Sequence, residues 1–162
     1  MTDDAVNRCG GCTLCCDLLE VKALDKPTHT ACKYCSYGVG CSIYGDEQRP
    51  IACSAYQCAY LFNKSWPESL RPDRCGVVFE PFNEDEKLCF TACVSLDWPN
   101  AWQEGAAAAA IDRMMREDCA VIVVVGEKNH VLLPPGQTPE MVWARYERVV
   151  RQLWPHRLTQ PT

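Results

Sequence analysis

Hydrophobic and polar positions follow two different rules along this chain. From Cys75 onward they are periodic. The stretches "CGVVFEPF" and "KLCFTACVSL" read as strands, and in the second Leu88, Phe90, Ala92, Val94 and Leu96 alternate with Cys89, Thr91, Cys93 and Ser95. After the break at "DWPN", Asn100 and Gln103 have the pattern of an N-cap and its reciprocal partner. An alanine-rich helix is predicted from Ala101 to about Glu117. "CAVIVVVG" is a continuous β-branched run, the signature of a strand buried on both faces. "EKN" then reads as a turn and "HVLL" as a short partner strand. A last helix is predicted with Thr138 as cap and Pro139 at its first position. Its apolar face would carry Val142, Tyr146, Val149, Val150 and Leu153.

The first sixty residues show little periodicity. They are rich in Gly, Pro and Asp and read as loops and short turns. A segment below about 70 residues seldom buries enough apolar surface to fold unaided and needs a staple. Composition names the staple. The chain has 162 residues and 13 cysteines, nine of them between Cys9 and Cys58. The fold class predicted is therefore α+β. A metal-stapled, loop-rich cysteine cluster (residues 1–60) would pack on a small antiparallel sheet with two helices (residues 61–162), forming one compact unit.

Charge narrows the function classes. The net charge is −5 and no basic tract is present, which argues against a nucleic-acid binder. No apolar run reaches the roughly 18 residues of a membrane span. "MTDDAVNR" lacks the apolar region of a signal peptide, and an odd number of cysteines cannot all pair internally. The expectation is a cytoplasmic protein with thiols reduced or metal-bound.

Cys9, Cys12 and Cys15 follow C-x2-C-x2-C, and Cys32 and Cys35 repeat C-x2-C. Two intervening residues let both sulfurs of a pair face one cation from a tight turn. The spacing serves tetrahedral zinc and equally the opening ligands of a [4Fe–4S] cluster. Cys41, Cys53 and Cys58 close the set. Buried thiols or disulfides would not explain C-x2-C three times over in a polar, glycine-rich segment. Cys15 and Cys16 are adjacent, so their side chains diverge and the pair is expected to serve two different centres. Cys9, Cys12 and Cys15 would begin one centre. Cys16 would turn toward another that uses some of Cys32, Cys35, Cys41, Cys53 and Cys58. Eight thiolates suit two separate tetrahedral ions, and nine suit three ions sharing bridging sulfurs.

Cys75, Cys89, Cys93 and Cys119 lie in or beside apolar strands and read as core. His29, three residues before Cys32, reads as a solvated loop residue with a nitrogen ligand as the alternative, and His130 and His156 carry no partner pattern. Arg49, Arg71 and Arg74 are candidates to offset thiolate charge. Tyr44 and Pro50 read as packing and turn residues beneath the cluster.

"CGGCTLCC", "ACKYC" and "GCSIYGDEQRPIACSAYQC" together resemble the CxxCxxCC family, the zinc- or iron-chelating, YkgJ-like cysteine-cluster proteins. The resemblance covers about residues 9 to 60, at Cys9, Cys12, Cys15, Cys16, Cys35, Cys41, Cys53 and Cys58. "LRPDRCGVVFEP" looks like a continuation seen in bacterial members, whereas "IYGDEQRP" is one residue longer than the usual form. The resemblance implies chelation of zinc or iron and no particular reaction. Flagellin lysine N-methylases carry a similar cluster but are longer. No dinucleotide, Walker, H-E-x-x-H or G-x-S-x-G motif is present.

The reading this supports is a metal-binding protein with a polynuclear thiolate site, two or three zinc ions by preference, in a structural, storage or chelating role. One alternative is a redox or methyltransferase-type enzyme built on iron or a [4Fe–4S] cluster. Another is a protein-interaction module fixed by metal, for which the aromatic residues of "SAYQCAYLFNKSW" would suit a partner. Those rings are expected instead to cover the cluster and join it to the sheet.

Overall fold

The computed structural model describes residues 7–82, 89–141 and 144. The N-terminal part is built of short pieces. Helix α1 (Leu14–Leu18) is followed by a 3-10 turn at Lys22–Leu24 and the two-residue strands β1 (Cys35–Ser36) and β2 (Gly40–Cys41). Helices α2 (Ile51–Ala55) and α3 (Ala59–Phe62), a 3-10 turn at Glu68–Leu70 and α4 (Pro72–Cys75) lead to the sheet. Helices of four or five residues cannot hold themselves in water. Helices α1, α3 and α4 place apolar residues in a shared core, whereas α2 has no buried residue.

That core lies on the sheet formed by β3 (Val77–Phe82), β4 (Cys89–Val94), β5 (Val121–Val125) and β6 (Lys128–Leu132), in the spatial order β3-β4-β5-β6. The expectation of an antiparallel sheet holds for β3–β4 and β5–β6 and fails in the middle. There β4 and β5 run parallel, with Phe90 opposite Val121 and Cys93 opposite Val124. The reason is the connection between them. It contains helix α5 (Gly105–Arg116) and is long enough to return the chain to the start of the sheet, which a parallel pair requires. Both strands are accordingly covered on both faces. Thr91, Ala92, Cys93 and Val94 are all buried, as are Val121, Ile122 and Val123.

The helix expected from Ala101 begins later. Ala101–Gln103 form a separate 3-10 turn, Glu104 is extended (φ −140°, ψ 161°), and α5 starts at Gly105. Asn100 makes no side-chain cap bond. Trp98 Nε1 donates to Glu104 Oε1 at 2.7 Å, which fixes the break. The β5–β6 turn is tighter than expected: Val125 pairs with Lys128, leaving only Gly126 and Glu127 between the strands. Thr138 Oγ1 accepts from Met141 N at 3.4 Å, the cap bond predicted at that position, with helical backbone from Pro139. The face carrying Val142, Tyr146, Val149, Val150 and Leu153 lies outside the described residues, as does His156.

One buried cluster spans both halves of the chain. Leu14 and Leu18 of α1 and Ala59 and Tyr60 of α3 join Val77, Phe79, Val94, Ile111, Met114, Val121 and Val123. Trp66 lies edge-on to Phe79 (5.5 Å, 86°) and stacks on Phe90 (6.5 Å, 25°). A fully buried side chain such as Phe79 contributes about 1.5–3 kcal/mol. Two further contacts bind the ends of the cysteine loops. Asn7 Nδ2 donates to the carbonyls of Tyr60, Asn63 and Trp66 at 2.8, 3.0 and 3.3 Å. Gly11 passes so close to the β1–β2 turn that a Cβ there would sit 2.5 Å from Gly38 O.

Candidate metal centre

The cysteines are carried by elements too short to have conformations of their own, so backbone bonds between loops set their positions. Cys12 N donates to Cys9 O at 2.9 Å, closing the first C-x2-C turn, and Cys35 N donates to Cys32 O at 2.9 Å, closing the second. Cys32 N donates to Cys16 O at 3.2 Å, which docks the second turn on α1. Cys35 and Cys41 are partners across the β1–β2 ladder. Cys53 lies in α2, and Cys58 caps α3. All nine N-terminal cysteines, Cys9 to Cys58, are free thiols, and only Cys58 is fully buried.

Two groups emerge. The first centres on Cys16, whose thiol is acted on by Cys15 and Cys35 in opposite senses. Cys15, Cys16, Cys32, Cys41 and Cys53 line one cavity of about 110 Å³ with Leu19, Val21, Leu24, Ile43 and Tyr56. The second contains Cys9, Cys12 and Cys58, with Cys58 acting on Cys12 and Cys9 on Cys58; Cys16 also acts on Cys9, so the two groups adjoin. Cys15 and Cys16 both line the first cavity.

The surroundings disfavour bare thiolates. Contact with Cys15, then burial, pushes the Cys16 thiol far above its ordinary range. Burial, then Cys16, raises Cys35 to about 12, and burial raises Cys12 to about 11. Cys9, Cys53 and Cys58 are also raised, burial leading in each. At neutral pH such thiols hold their protons until a cation displaces them.

Positive charge is placed to help that displacement. Arg49 Nη2 donates to Cys53 O at 2.7 Å, and the guanidinium lowers the thiols of Cys9 and Cys53 against the effect of burial. Its Nε is buried without a hydrogen-bond partner. Arg71 acts on Cys9 in the same sense. Arg74 is exposed and pairs with Glu68 at 3.1 Å. Lys26 went unnoticed in the sequence. It is buried, donates to the carbonyls of Asp17, Leu19 and Pro27, and its ammonium is acted on by Cys32, Cys16 and Cys15. Burial holds its pKa below the ordinary lysine value. Nothing in "ALDKPTH" distinguishes it from a surface lysine.

Other predicted residues fall differently. Tyr44 is not beneath the cluster: it is exposed, with the Arg49 guanidinium 4.3 Å from its ring centre. Pro50 does line the first cavity. His29 has a left-handed backbone (φ 53°) and a buried Nε2 without a hydrogen-bond partner. It borders a different cavity, with Asp17, Asp97 and Trp98. His130 stacks on Trp102. Cys75, Cys93 and Cys119 are buried.

As the side chains stand, no three Cys, His, Asp or Glu among the described residues are placed to hold one ion. The donor set nonetheless fits thiophilic metals. Cys15, Cys16, Cys32, Cys41 and Cys53 are partly exposed free thiols on one lining, and such cysteines can rotate about χ1 to share a cation. No family model, curated protein or solved structure matches the chain. Among the described residues, no helix is long and apolar enough to cross a membrane.

Proposed function

We propose that the chain is a metal-binding protein in which the N-terminal cysteines hold a polynuclear thiolate site, zinc by preference, in a structural, storage or chelating role, as in the CxxCxxCC proteins it resembles. The carrying observation is the cavity that gathers Cys15, Cys16, Cys32, Cys41 and Cys53 on one lining. Thiols so gathered, with Arg49 and Lys26 beside them, suit a cation better than solvent. Anaerobic purification followed by elemental analysis and an absorption spectrum is the test. More than one zinc per colourless chain is expected. Iron with sulfide and a broad band at about 400 nm would move the reading to the iron–sulfur alternative. Less than one metal per chain would overturn it.

A second reading has an observation of its own. Tyr37, Val39, Tyr44, Ile51 and Phe62 are largely exposed on the loops and short helices around the cysteines. An interaction module fixed by metal would present such side chains to a protein partner. Of the "SAYQCAYLFNKSW" rings, Tyr56 is half-buried against the core, Tyr60 is buried and Trp66 joins the sheet, which leaves Phe62 as the exposed one.

A further inference from the structure

Cys35 and Cys41 face each other across the β1–β2 ladder, with Ser36 opposite Gly40 one step nearer the turn. Their neighbours fix what kind of pair they are. Ser42 N donates to Tyr34 O at 2.7 Å, and Ser42 Oγ donates to the same carbonyl at 3.1 Å. Tyr34 and Ser42 therefore occupy the hydrogen-bonded position. Positions alternate along an antiparallel ladder, which makes Cys35–Cys41 a non-hydrogen-bonded pair with both side chains on one face. Such pairs hold their Cα atoms about 4.5 Å apart, inside the roughly 4.4–6.8 Å that a disulfide spans. The hairpin is also held from outside. Val39 N donates to Ser36 O at 3.0 Å, Gly38 N donates to Thr13 Oγ1 at 3.4 Å, and Gly11 packs against Gly38 O.

We propose that Cys35 and Cys41 form a dithiol–disulfide couple, closed by a small-molecule disulfide and reopened by thiols. Cys41 is the sulfur such an oxidant reaches. Besides the cavity it shares with Cys16, Cys41 lines a second one of about 650 Å³ with Ser36, Gly40 and Tyr44, and Cys35 lines neither. The Cys41 thiol loses its proton and attacks one sulfur of the oxidant, expelling a thiolate. Cys35 then loses its proton and attacks the Cys41 sulfur of the mixed disulfide, expelling the second. Each departing thiolate takes up one of the released protons. The chain gives up two electrons and two protons, and the oxidant leaves as two thiols. One consequence rests on the reading of these cysteines as metal ligands: closing the couple withdraws two sulfurs from the centre, so oxidation releases the ion.

Cys32–Cys35 is the competing pair, since Cys35 N donates to Cys32 O at 2.9 Å within one turn. The full chain as purified, treated anaerobically with oxidised glutathione and quenched by alkylation, separates the two. Chymotrypsin cleavage after Tyr37 leaves Cys35 and Cys41 on different peptides, so mass spectrometry reads their linkage directly. Cys35–Cys41 is expected to be the first linkage formed, and dithiothreitol to reverse it. Cys35→Ser is expected to stop at a glutathione adduct on Cys41, and Cys41→Ser to slow loss of the Cys35 thiol about tenfold. A first linkage at Cys32–Cys35, or none, overturns the proposal, and this map of the wild-type chain decides even where a variant folds poorly. Zinc release, followed with a chromogenic chelator in the same samples, is expected to keep pace with the linkage. Linkage without release supports the couple and sinks only the reading of Cys35 and Cys41 as metal ligands.

Discussion

Cys16 concentrates the chemistry of the N-terminal segment in one residue. It lines a cavity with Cys15, Cys32, Cys41 and Cys53, its carbonyl accepts from Cys32 N, and its charge acts on Cys53. Cys16→Ser is therefore expected to remove at least one metal ion per chain, read by elemental analysis. Full metal content with an unchanged cobalt spectrum would exclude Cys16 as a ligand. Protons give a second residue-scale expectation. Cys12, Cys16 and Cys35 have raised pKa values in the metal-free chain, so they are protonated at neutral pH and each ligating thiol releases a proton on loading. Acid opposes that release, so affinity should fall as pH drops, by about tenfold per pH unit for each proton displaced. Chelator competition at two pH values checks it, and pH-independent binding would contradict it. Much of this was legible in the C-x2-C spacings, because a tight turn constrains where two sulfurs can go. Lys26 was not legible, because nothing in its local sequence marks it as buried and only the folded chain turns it onto the carbonyls of Asp17, Leu19 and Pro27.

Among the elements, the strands were easier to read than their directions. The β-branched run at Val121–Val125 fixes a strand wherever it lies, and Gly126 marks its end. Whether it runs with or against β4 depends on the path of the intervening chain. That path was obscured by the break at Glu104, which a tertiary contact from Trp98 imposes on an otherwise helical sequence. The short helices at Ile51–Ala55 and Ala59–Phe62 have no periodic signal because they are too short to show one. What stabilises the second of them is the sheet, against which Ala59 and Tyr60 are buried. Phe79 is fully buried and is the ring against which Trp66 sets its edge. Phe79→Ala should lower unfolding stability by about 3–5 kcal/mol, measured by urea titration of the metal-loaded chain. A loss below about 1 kcal/mol would mean that the join between the aromatic segment and the sheet is not where the fold is held.

At the scale of the molecule, the sheet and α5 have an apolar core independent of metal, whereas the loops from Cys32 to Cys53 contribute no residue to the buried cluster. Hydrogen exchange with and without a strong chelator should show protection lost across residues 9–58 and largely kept over the sheet. Leu14 and Leu18, which reach the core, should make α1 the last of that segment to open. Equal protection of residues 9–58 in both states would count against a metal staple. The clasp at Asn7 bears on the same balance through chain entropy. A metal that joins Cys9 to Cys58 must close a loop of roughly fifty residues, and an unrestrained loop of that length resists closure. Asn7, two residues before Cys9, already grips three carbonyls just beyond Cys58. The ring is therefore shut before the ion arrives, and the ion meets neighbouring ligands in place of distant ends of a chain. Asn7→Ala touches no ligand, yet it should speed release of the metal held by Cys9 in a chelator assay while leaving the stoichiometry at saturation unchanged.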